Sequence, residues 1–136
     1  MKVIDSSALV KYFSKEEGWD KVREIILEGT VSLDISVKEV ANALWRKVLN
    51  REIKLKDAEE ILRDLCKSNA IKIQDQSKYL VNAFKTAIKN RVTIYDSLFI
   101  ELSKDIKAEL VTSDIKQAQI AEKEKSKNNT NLPFNI

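Results

Sequence analysis

Short β-branched runs alternate along this chain with longer stretches whose apolar residues recur at three- and four-residue spacing. Val3-Ile4, Thr30 to Asp34, Ile71 to Gln74 and Glu109 to Thr112 read as strands. Between them the pattern predicts helices. The first follows Ser6-Ser7 through Phe13, and the second covers about 17–28, where Gly29 stops a stripe of Trp19, Val22, Ile25 and Ile26. A third, capped by Ser36, carries Val37, Val40, Ala41, Leu44, Trp45 and Val48. Further helices are predicted over about 55–68, about 76–90 (through Leu80, Ala83, Phe84, Ala87 and Ile88), from Thr93 onward, and over about 115–125. Strands separated by helices pair in parallel through right-handed crossovers, and helices must then cover both faces of the sheet. The expected fold is a three-layer α/β/α sandwich around a short parallel sheet of four or five strands.

With 136 residues the length suits one domain. Residues 1–125 are expected to form it, and 126–136 a polar linker in which 132–136 form a short edge strand or a loose end. The chain has no histidine, which removes Ser-His-Asp triads, histidine bases and histidine-ligated zinc. Its one cysteine, Cys66, follows Ile61, Leu62 and Leu65 in a helical pattern and is expected in the core. One cysteine excludes a disulfide within the chain and fits a reducing, cytoplasmic setting. Neither an export signal nor 18 consecutive apolar residues occur, so no membrane span is expected. A net charge of +3 is mild evidence for an anionic partner.

Four acids stand at element boundaries. Asp5 and Asp114 follow strands directly, and Glu39 and Asp96 lie in first turns of helices. Functional groups of open parallel sheets gather beyond the carboxyl ends of the strands, where the following helices also begin. All four acids therefore fall on one rim. Each also has a structural reading: Asp5 and Asp114 suit helix caps, and Ser36-Val37-Lys38-Glu39 has the form of a capping box. Asp96 shares a helix side with Ile100 and Ser103, while Ser97, Glu101 and Lys104 mark the polar side, so its carboxylate is expected to face inward. Clustered carboxylates raise one another's proton affinity unless cations neutralise them, and hard divalent cations prefer oxygen ligands.

Val3-Ile4-Asp5-Ser6-Ser7-Ala8-Leu9, Ser36-Val37-Lys38-Glu39-Val40-Ala41-Asn42-Ala43-Leu44, Thr93-Ile94-Tyr95-Asp96-Ser97-Leu98-Phe99-Ile100 and Leu110-Val111-Thr112-Ser113-Asp114 together resemble the acidic motifs of the PIN-domain family. A compact chain of this length is most similar to its VapC-type toxin ribonucleases, the nuclease halves of toxin–antitoxin pairs. The resemblance implies a PIN-like fold in which Asp5, Glu39 and Asp96 are the core acids and Asp114 the variable fourth. It also matches Thr112, Ser113 and Asn42 to accompanying polar residues. The activity implied is endonucleolytic hydrolysis of RNA with one or two Mg²⁺ or Mn²⁺ ions per subunit. Asp5, Asp96 and Glu39 would hold one ion, and Asp114 would position a second ion or the attacking water. Ser6 and Thr112 are candidates to orient carboxylates by hydrogen bonding. Lys11, Lys38, Arg46 and Lys116 are candidates for phosphate contact, or else ordinary surface cations. A homodimer and a cognate antitoxin are implied as partners, the antitoxin bringing a basic side chain to the acids. Competing readings are a PIN-like nuclease of RNA processing, a structure-specific DNA nuclease, and an inactive binding module.

Overall fold

A computed structural model describes residues 1–67 and 69–124 and the backbone of 128–129. The elements run β1 (Lys2–Ile4), α1 (Ser6–Phe13), α2 (Trp19–Leu27), β2 (Thr30–Leu33), α3 (Asp34–Leu49), α4 (Leu55–Lys67) and β3 (Ile71–Gln74). After a 3₁₀ turn at Ser77–Tyr79 come α5 (Leu80–Asn90), α6 (Ile94–Ile106), β4 (Leu110–Val111), α7 (Ile115–Lys123) and the two-residue β5 (Asn128–Asn129). The sheet order is β3-β2-β1-β4-β5, and every pairing is parallel. The expected edge strand at 132–136 lies outside the described residues.

Strand alternation builds the two cores. Val3 and Leu110 point to one face with Leu98, Phe99 and Leu102 of α6, Ala83 of α5 and Ile120 of α7. Ile4 and Val111 point to the other with Leu9 of α1, Val22 and Ile26 of α2, Val40 and Leu44 of α3, and Leu65 of α4. The central strands are therefore apolar on both sides, as a sheet between two helical layers requires.

Three expectations about helix faces are corrected. Cys66 is exposed, because α4 turns Ala58 and Leu65 inward and leaves the cysteine on the flank. On α6, Ser97 and Glu101 are buried, so they do not mark a solvent side; α6 lies under α5 and is enclosed from Ser97 to Ser103. On α5, Ala83, Thr86 and Ala87 face inward and allow close approach to α6, which leaves Leu80, Phe84 and Ile88 exposed.

Candidate active site

Asp5 is the first residue beyond β1 and the N-cap of α1. Its Oδ1 accepts hydrogen bonds from the Ala8 amide (3.0 Å) and the Ser7 hydroxyl (2.7 Å), and its Oδ2 accepts one from Thr112 (2.5 Å). The same two hydroxyls accept amide protons from the turn after β4: Ser113 N–H donates to Ser7 Oγ and Asp114 N–H to Thr112 Oγ1, both at 3.0 Å. Each hydroxyl accepts an amide proton on a lone pair while its own proton is directed to Asp5. Among the described residues the carboxylate is thus gripped by three donors and by no salt bridge. Burial pushes its pKa up to about 6, the bonds from Thr112, Ala8 and Ser7 oppose that rise, and the charge of Asp96 adds to it.

Glu39 accepts a 2.6 Å hydrogen bond from Ser6 Oγ, which ties α3 to α1. The capping box expected for it does not form. Helix α3 begins at Asp34, straight from β2, and places Ser36 inside the first turn, where its hydroxyl donates to the Leu33 carbonyl at 2.7 Å. Glu39 is therefore free of the cap and turned to the rim.

Asp96 is half-buried in the first turn of α6, which Thr93 caps by accepting the Asp96 amide proton at 3.3 Å. Its pKa is raised by burial and by the negative charges of Asp114 and Glu39, against the opposing effects of Thr93 and Lys116. Asp114 caps α7, its Oδ1 accepting the Gln117 amide proton at 3.2 Å.

All four acids line one open cleft of about 570 Å³ together with Ser6, Ser7, Asn42, Ser113, Lys38 and Arg46. Thr112 is fully buried beneath it and acts through Asp5. Lys116 stands close enough to Asp96 for its charge to register. Lys11 departs from its expected place: it is buried, outside the cleft lining, and donates to the Glu17 carbonyl at 3.0 Å, so it braces the α1–α2 turn.

The arrangement suits a hard cation by donor chemistry. Every candidate ligand is a carboxylate oxygen, the acids repel one another, and no salt bridge among the described residues reaches any of them. The side chains are not drawn into a ready ion site, however: among the described residues no three potential ligands are gathered closely enough to hold a metal.

Among the cleft residues that the sequence reading does not name as site members are Ser7, Glu16, Tyr95 and Gln117. Gln117 left a signal, because a glutamine three residues after a capping aspartate has capping-box spacing. Its side chain reaches instead across to α6, where Nε2 donates to the Asp96 carbonyl at 3.1 Å.

A short parallel sheet between helical layers, with acids beyond the carboxyl ends of its strands, defines a PIN-like α/β protein. A PIN-domain family model matches residues 2–123, and the chain belongs to that family. Within it the kinship is to VapC-type ribonucleases. The chain is 30% identical over 124 residues to Ribonuclease VapC3 of Pyrobaculum aerophilum, across 89% of this chain and 92% of that protein. The crystal structure of PAE2754 from Pyrobaculum aerophilum shares the fold with a TM-score of 0.68 at 22% identity, over 88% of this chain and 84% of that one.

Proposed function

We propose that this protein is a Mg²⁺- or Mn²⁺-dependent endoribonuclease acting as the toxin of a toxin–antitoxin pair. The observation that carries this reading is the convergence of four acids on one cleft, with no salt bridge to any of them among the described residues. Asp5, Glu39 and Asp96 would hold the ion, with Asp114 holding a second ion or the attacking water. The bound ion would supply Lewis-acid activation of water and charge neutralisation at the phosphate. The chain's own work is positioning. Ser7 and Thr112 fix both oxygens of Asp5, and Ser6 fixes Glu39. Lys38 and Arg46 on the cleft wall would take flanking phosphates, and exposed Tyr95 offers a ring for base stacking.

The partner readings draw on two other surfaces. A second cleft is lined by Tyr12, Phe13, Trp19 and Ile61 and edged by Glu60 and Asp64, which suits an amphipathic antitoxin segment carrying basic residues. On α5, Leu80, Phe84 and Ile88 form an exposed stripe suited to a homodimer. The test is cleavage of matched single-stranded RNA and DNA in Mg²⁺, in Mn²⁺ and in chelator. RNA cleavage that needs the ion is expected. Equal cleavage of DNA overturns the ribonuclease assignment, and cleavage in chelator overturns the metal mechanism.

A further inference from the structure

We infer that Gln117 is a positioning residue that sets the separation of the third and fourth acids and thereby the affinity of the rim for a divalent cation. The inference rests on the metal-nuclease reading above. Gln117 is 3% exposed and touches both acids: its backbone N–H holds the Asp114 carboxylate, and its side-chain amide holds the Asp96 backbone carbonyl. Asp96 and Asp114 carry like charges that repel, and the charge of Asp114 raises the proton affinity of Asp96. The amide of Gln117 joins α7 to the first turn of α6 in spite of that repulsion. It does so without occupying any oxygen of the Asp96 carboxylate, so those lone pairs stay open to an ion. Its Oε1 accepts a longer contact from Thr112 Oγ1 at 3.4 Å, beside the shorter bond that Thr112 donates to Asp5. Since no three ligands are gathered in advance, ion binding must draw side chains together from backbone positions that are already set. Loosening those positions adds directly to the cost of binding.

Two variants test this. Gln117→Met keeps the length and the backbone cap but removes the amide donor. Gln117→Asn keeps a polar group in the buried position yet is one methylene too short to reach the carbonyl. Mn²⁺ binding without RNA is followed by electron paramagnetic resonance, beside the melting temperature of the metal-free protein and the Mn²⁺ dependence of RNA cleavage. Binding should weaken about tenfold in both variants, as for partners of metal ligands generally. The cleavage rate at saturating Mn²⁺ should return to within about threefold of wild type, because excess ion restores the occupied state by mass action. A purely structural role would lower the metal-free melting temperature and leave the rate depressed at saturation. Variants that bind Mn²⁺ within about twofold of a binding-competent wild type overturn the positioning role alone. A wild type that binds no Mn²⁺ overturns the metal reading and this inference together.

Discussion

Two groups of acids in this molecule are held in opposite ways. At the far side of α6, buried Glu101 faces Lys104 at 3.3 Å and accepts from Thr86 at 3.1 Å, while Glu124 meets Lys89 at 3.1 Å and Lys104 at 3.4 Å. There, charge is removed from water with a cation beside it, and α5, α6 and the end of α7 are joined as a result. At the rim, Asp5 is as deeply buried but is held by hydroxyls and an amide. Such donors fix geometry and leave the net charge in place. The contrast separates acids that close a structure from acids that leave a deficit for something positive to fill.

Neutralising one member of each group tests that contrast. Asp96→Asn should reduce RNA cleavage by more than about a hundredfold, since even partners of metal ligands cost 10–100-fold. The metal-free melting temperature should not fall, because the substitution removes a charge repelled by Asp114 and Glu39. An equal loss of stability and activity would place Asp96 among the structural acids. Glu101→Gln should do the reverse, with cleavage retained and stability lowered by about 1.5–3 kcal/mol, the scale of a hydrogen bond to a charged group. Chemical denaturation checks it, and unaltered stability would dissolve the comparison from the other side.

Smaller in size is a pH effect. With a pKa of about 6 in the folded state against an ordinary 3.8, Asp5 binds more protons folded than unfolded between those values. Its contribution to metal-free stability is therefore fully present below about pH 4 and is lost as pH rises through about 6. The upward shift of Asp96 has the same sign. The lowered values of Asp75 and Asp105 have the opposite sign, but they act below the ordinary carboxylate range. Between pH 5 and pH 7.5 the metal-free protein should lose about 1 kcal/mol, and denaturation at the two pH values measures it. A gain in stability over that interval would contradict the burial of an unneutralised Asp5.

Much of the fold was legible because strand–helix alternation restricts the topology, and Asp5 and Asp114 were legible because they directly follow strands. Asp96 lines the cleft, but helical periodicity puts Ser97 and Glu101 on a solvent side that they do not occupy. Periodicity cannot anticipate that α6 is covered on nearly every side, or that Lys104 and Thr86 satisfy a buried glutamate. Glu39 was obscured by a capping box that a direct β2–α3 junction makes unnecessary. Ser7 and Gln117 depend on contacts between residues 106 and 21 positions apart, which no local pattern carries.

On the proposed function the rim, and not the lysine-paired cluster, would hold a divalent cation. Mn²⁺ titration of the wild type, Asp96→Asn and Glu101→Gln without RNA distinguishes the two. Saturable binding is predicted for the wild type, the same affinity for Glu101→Gln, and affinity at least about tenfold weaker for Asp96→Asn. Binding by Asp96→Asn as tight as wild type, or a wild type that binds no Mn²⁺, would contradict it.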